Sequence, residues 1–218
     1  SVERFLAAHR IRELNAEERV RVLKLQELQR HAMLMYTSCG WFFDDISRIE
    51  AIQILQYAGR AIELGEELSG MDTIEAGFLQ IVQNARSNDP NFGNGRDIFG
   101  KYVKPAMIAG HKVAGHYAVR SLFEDSPERS GFYSYIVDRP FSKTVTSGKS
   151  KLAIGRCKIT SQITWESSEA EYAVVHLGDG DIRGRAKECQ GDHTLQKPGE
   201  EIAGAFEKSD FPAVSHLL

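Results

Sequence analysis

The chain changes its hydrophobic periodicity near Pro127, and that change constrains the fold more than any other feature. Upstream, apolar residues recur at steps of three and four, the spacing that gathers them on one face of an α-helix. Downstream, β-branched and aromatic residues come in short alternating runs, the spacing that puts every second side chain on one face of a strand. A chain written in this order predicts an α+β fold, an N-terminal helical bundle followed by a small antiparallel β domain with a C-terminal helix. The predicted domains are residues 1–123 and 131–218, with the boundary between Glu124 and Gly131.

Three helix starts are legible upstream, each a side-chain oxygen followed three residues later by glutamate: Asn15 with Glu18, Ser47 with Glu50, and Asp72 with Glu75. The stripes that follow them are Leu25, Leu28, Ala32 and Met35; then Ala51, Leu55, Ala58 and Ile62; then Ile74, Phe78, Ile81 and Ala85. The turn formers from Asn88 to Gly95 predict a loop, and Pro105 predicts a break with a fresh helix running to about Phe123. Downstream, strands are predicted over Phe132–Val137, Lys151–Trp165, Tyr172–Leu177 and Ile182–Lys187, with a hairpin turn at Gly178–Asp181 and a last helix near Gly199–Lys208.

At 218 residues and 42% hydrophobic content the chain can bury a substantial core. Its net charge of −3, from 27 basic and 30 acidic residues, offers no long-range attraction to nucleic acid or anionic lipid, and neither is expected as a partner. Cys39, Cys157 and Cys189 are odd in number and far apart, which argues against a disulfide framework and for a reducing cytoplasm. No apolar run of about 18 residues is present to span a bilayer. The sequence opens at Ser1 directly in a charged helical pattern, which predicts a piece cut from a longer polypeptide.

One segment reads as a site. Between the second and third helices lies Cys39-Gly-Trp-Phe-Phe-Asp-Asp-Ile46, with three consecutive aromatics in a connector. Connectors normally carry polar residues because they face water, so Trp41, Phe42 and Phe43 are either buried by a neighbour as an aromatic plug or held out to stack on a ligand. A sugar suits such a surface, because its C–H face packs on indole while Asp44 and Asp45 accept hydroxyl hydrogen bonds.

Other constellations are weaker. A two-carboxylate glycosidase needs carboxyl groups about 5 to 9 Å apart from opposed elements, whereas Asp44 and Asp45 are neighbours whose side chains diverge. Asp179 and Asp181 lack the further oxygen ligands of a calcium loop, and His111 and His116 miss the i, i+4 spacing of a helical zinc site. Gly93, Gly95 and Gly100 follow no strand and lack dinucleotide-binding spacing. No cysteine has a recognisable His partner for nucleophilic work. Neither a metal ion nor a cofactor is predicted.

The string Met33-Leu-Met-Tyr-Thr-Ser-Cys-Gly-Trp-Phe-Phe-Asp-Asp-Ile-Ser47, continued by Ile54-Leu-Gln-Tyr-Ala-Gly-Arg60, carries a resemblance. It is similar to the C-terminal region, domain of unknown function 3536, of bacterial proteins whose N-terminal halves look like family-57 glycoside hydrolases. Val103-Lys-Pro105, His116-Tyr-Ala118, Ser121-Leu-Phe-Glu124, Phe206 and Asp210-Phe-Pro212 look like later landmarks of the same region. The resemblance implies α-glucan chemistry by a retaining mechanism, with a glutamate nucleophile and an aspartate acid/base on an incomplete barrel preceding Ser1. No catalytic residue would then lie in this chain. It also implies that Ser38–Phe43 returns toward the substrate cleft with Trp41 as platform, although that family has an acidic residue just before the tryptophan where this chain has Gly40.

The function expected on this basis is accessory. The chain would buttress an upstream catalytic barrel and lend Trp41, Phe42, Asp44 and Asp45 to an α-glucan or oligosaccharide, being inert alone. The rivals are a stand-alone carbohydrate-binding module and a structural or dimerising domain in which the aromatics are buried within the chain or against a second copy.

Overall fold

The computed structural model describes residues 2–124, 127–189 and 196–218, and for residues 196–198 the backbone alone. Residues 125 and 126, inside the predicted boundary, lie outside the described residues. The fold is α+β, with helices first, then an antiparallel sheet, then further helix. Two compact units divide the chain, one ending at Met107 and the other beginning at Ile108.

The first unit holds α1 (Val2–His9), α2 (Ala16–Leu34), α3 (Cys39–Phe42), α4 (Ile49–Ser69), α5 (Ile74–Val82) and α6 (Gly95–Ile98). Helix α2 opens with the predicted capping box: the Glu18 amide donates to Asn15 Oδ1 at 2.8 Å, and the Asn15 amide donates to Glu18 Oε2 at 2.9 Å. The other two predicted caps do not form. Helix α4 starts after Arg48, and α5 starts after Thr73, neither with a side-chain cap. The orphan amide of Glu75 is met instead from α4, where Glu66 Oε1 accepts it at 2.9 Å. A capping box that the turn-rich composition concealed opens α6, with Asn94 accepting from Arg96 and Asp97.

The stripe on α4 is buried as predicted, at Ala51, Leu55, Ala58 and Ile62. On α5 the inward residues are Phe78, Leu79 and Val82, which pack on the core of Leu55, Ile98, Phe99 and Val103, while Ile81 is exposed. The stripe on α2 differs more. Its buried residues are Leu23, Lys24, Glu27 and His31, and Leu25 of the predicted stripe is exposed. Lys24 is tolerated inside because its ammonium pairs with Glu67 of α4. Beyond α6 the helix widens into a π-helical turn over Phe99–Val103 and tightens into a 3-10 turn at Lys104–Ala106 containing Pro105, which lacks an amide to continue it.

The second unit begins with α7 (Gly110–Ser121), the predicted restart. It packs on the sheet, so by contact it goes with the strands and not with the helices before it. The sheet runs β1 (Arg129–Phe132), β2 (Tyr135–Ser147), β3 (Ser150–Ser161), β4 (Ser167–His176) and β5 (Ile182–Glu188) in sequential antiparallel order. The run Phe132–Val137, predicted as one strand, turns at Tyr133, whose φ is +49°, and becomes two paired strands. Strand β2 then continues through Arg139 and Pro140, where a register shift between Asp138 and Phe141 absorbs the proline. At Gly178–Asp181 the predicted tight turn closes, with the Leu177 amide donating to the Asp181 carbonyl at 2.9 Å.

Both faces of this sheet are covered. Ala153, Cys157, Ala170, Tyr172 and Val174 face Val113, Ala114 and Tyr117 of α7. Leu152, Ile154, Ala173 and Val175 face Ile202, Ala203 and Phe206 of α8 (Gln196–Glu207) and Val214 of α9 (Phe211–Leu217). Helix α9 was not anticipated as an element, although Asp210-Phe-Pro212 is a start signal: Asp210 accepts the Ala213 amide at 3.1 Å, and Pro212 stands in the first turn, where no amide is needed. Among the described residues no helix is long and apolar enough to cross a membrane.

Candidate functional site

The aromatic connector folds as the single turn α3, whose amides at Trp41 and Phe42 donate to the Ser38 carbonyl at 3.1 and 2.9 Å. What fixes this turn against α4 is Gly40. A β-carbon there would stand 3.2 Å from the Ile54 side chain, tighter than most such contacts, so a larger residue would require Ile54 to give by a few tenths of an ångström. With the inner side of the turn closed by Ile54, the next side chains point away.

Trp41 is 76% exposed, Phe42 71% and Phe43 43%. The rings touch one another edge to face, Trp41 to Phe42 with centroids 6.4 Å apart and Phe42 to Phe43 at 5.4 Å, rather than entering a core. The plug alternative required these rings to be enclosed by the chain's own side chains, and they are not. The same stretch leaves Met33, Tyr36 and Ile49 exposed, three residues the connector motif did not single out. Their signal was present in the sequence as apolar side chains flanking the aromatics, but the helical stripe assignment had turned Met35 rather than Met33 or Tyr36 into account.

The two aspartates take different places. Asp44 is exposed; its backbone carbonyl accepts Asn88 Nδ2 at 3.2 Å, and its carboxylate faces solvent. Asp45 is occupied by the protein itself. Its Oδ1 accepts the Ser47 amide at 2.8 Å and the Ser87 hydroxyl at 2.9 Å, and its Oδ2 accepts the Asn88 amide. Hydrogen bonding from Ser47, its side chain foremost, and then from the Asn88 amide holds the carboxyl well below its ordinary range. Asp45 therefore ties the predicted loop after α5 to the connector. That loop is itself ordered by bonds from the Ser87 amide to the Gly93 carbonyl at 3.0 Å and from the Gly95 amide to the Ala85 carbonyl at 2.8 Å.

The arrangement offers an exposed aromatic shelf of Trp41 and Phe42 with, three residues along, the carboxylate of Asp44, which makes no side-chain hydrogen bond or ion pair among the described residues. It can stack and accept hydrogen bonds. It gathers no opposed pair of carboxylates, and among the described residues no group of three or more His, Cys, Asp or Glu side chains is placed to hold a metal ion. His111 and His116 lie on α7 of the second unit, with the His116 ring edge-on to Phe132 at 5.1 Å.

These parts define an α+β chain of two compact units, the first presenting an aromatic turn to solvent. The chain belongs to the family described as Domain of unknown function (DUF3536), whose family model matches residues 1–218. No curated protein and no solved structure matches it.

Proposed function

We propose that the chain is a non-catalytic part of a family-57-like glycoside hydrolase or glucanotransferase acting on α-glucans, in which it buttresses a catalytic barrel elsewhere in the polypeptide and supplies Trp41 as an aromatic substrate contact. The observation that supports this reading is the exposure of the Trp41 indole, which leaves its face open to a sugar ring. Phe42 extends the shelf, Asp44 supplies a hydrogen-bond acceptor, and Asp45 acts one step back by holding the connector in place.

Fluorescence tests this reading. Trp165, at the turn between β3 and β4, is the other tryptophan, so a Trp165→Phe background isolates the Trp41 signal. Maltooligosaccharide should quench or shift that emission in the polypeptide that carries the barrel, and only weakly in the 218-residue chain. An equally strong response in the short chain would favour the stand-alone binding module. No response in either, together with a concentration-dependent dimer in sedimentation that Trp41→Ala abolishes, would replace the reading with an interface between copies.

A further inference from the structure

We infer that the second unit carries a small-molecule site of its own, between β4, β5 and the two last helices, for a short branched 2-hydroxycarboxylate. Strand pairing sets Glu171 opposite Lys187 and Ala173 opposite Arg185. All four side chains therefore rise on the sheet face that α8 and α9 cover. Between them the packing leaves a cavity of about 80 Å³, lined by Glu171, Ala173, Arg185, Lys187, Ile202 and Leu217. One water needs roughly 10–15 Å³ on this measure, so the space suits a molecule of about five to eight non-hydrogen atoms.

The polar groups of the cavity are unevenly satisfied. The Glu171 side chain is 4% exposed, and among the described residues its Oε2 receives no hydrogen bond. Lys187 Nζ stands 3.8 Å from it, close enough to pair by charge and too far to donate. Arg185 is exposed and takes part in no ion pair among the described residues. The rest of the lining is apolar: Ala173 on the sheet beside these groups, with Ile202 and Leu217 of the helices over it.

Each feature selects a part of the ligand. The free guanidinium of Arg185 is a fork for a carboxylate. The gap between Glu171 and Lys187 takes a group that donates to Oε2 while accepting from Nζ, which a hydroxyl does. An ammonium there has no lone pair to accept with and meets Lys187 as a like charge, so an α-amino acid is disfavoured. A second anionic group on the floor would face the Glu171 carboxylate. The apolar wall takes a short branched alkyl tail. This site uses residues of the second unit alone and stands independently of the aromatic turn.

The test is a titration of the 218-residue chain with 2-hydroxy-3-methylbutanoate, followed by amide chemical shifts. Two matched probes accompany it: 3-methylbutanoate, which lacks the hydroxyl, and valine, which carries an ammonium in its place. Saturable shifts are expected around Glu171, Arg185 and Ile202, with both matched probes binding roughly ten-fold or more weaker. Arg185→Ala, at an exposed side chain, should keep the melting temperature and weaken binding by roughly ten-fold or more. The proposal is overturned by the absence of saturation at about 20 mM, by shifts confined to other residues, by equal binding of either matched probe, or by unchanged affinity in Arg185→Ala.

Discussion

Asp45 shows how a residue that reads as a ligand group can be spent on the fold. An Asp-Asp pair beside tryptophan looks like two acceptors for sugar hydroxyls, yet the donors that occupy Asp45 include Ser87 and Asn88, far along the chain. No local pattern announces such a contact, because it depends on how the loop after α5 returns to the connector. Gly40 was equally silent: its role follows from the approach of Ile54. For Asp45 the sign of the pH effect is fixed. Its carboxyl is held below the ordinary value of 3.8, so the folded state binds fewer protons there than the unfolded chain. Its contribution is complete above pH 3.8 and is lost as acid is added below that value. Asp45→Asn should speed amide exchange at Ser47 and Asn88 by roughly ten-fold or more and should remove that part of the acid sensitivity, both read by hydrogen exchange across pH.

At the scale of elements, the pairing of α2 with α4 explains why one stripe was misread while its partner was legible. Apolar spacing found α4, whose small and aliphatic residues go inward. On α2 the inward positions include Lys24, Glu27 and His31, which an apolar count passes over. They are admitted because charge is answered locally: Lys24 by Glu67, and Glu27 by Arg30 at 2.6 Å. His31 Nδ1 lies 3.1 Å from the Glu27 carbonyl and 3.4 Å from its Oε1, with Tyr57 edge-on to the ring and Arg30 and Arg60 nearby. Burial, opposed by Glu27, lowers its pKa below 6.5. Above pH 6.5 both states are neutral there; as pH falls through that value the unfolded chain takes up a proton that the folded chain resists, and stability declines. The Glu27 carboxyl, lowered from 4.5 chiefly by Arg30, acts in a more acidic window. His31→Phe should therefore flatten the pH dependence of the urea midpoint between 6.5 and 4.5 while leaving the slope below 4.5. The sheet has a comparable close fit at Gly155 of β3, where a β-carbon would overlap the Tyr172 hydroxyl and come within 2.7 Å of the Phe141 carbonyl. Gly155→Ala should cost about 1–3 kcal/mol or more, read as a lower urea midpoint.

Across the whole chain, apolar side chains fall into two populations that sequence alone does not separate. The strands of the second unit were legible by composition, but their burial on both faces was not, since alternation and continuous runs such as Tyr172 to Val175 differ only in what covers the second side. Tyr172 and Val174 meet α7, and Ala173 and Val175 meet the last helices. In the first unit the reverse occurs, and an aromatic cluster that composition would assign to a core stands in solvent. Phe99, at 1% exposure, belongs to the population that holds the fold, whereas Trp41 and Phe42 belong to the one that folding leaves unspent. Phe99→Ala should destabilise the first unit by about 3–5 kcal/mol, because it removes buried ring area and opens a cavity beside Val103 and Leu55. Trp41→Ala should change the unfolding free energy by less than about 0.5 kcal/mol, since its indole is already hydrated. Urea unfolding of the two variants beside maltooligosaccharide binding in the barrel-bearing polypeptide separates the roles. Under the proposed function Trp41→Ala loses binding with its midpoint unchanged; a midpoint shift as large as that of Phe99→Ala would mean that the indole supports the fold and does not serve a ligand.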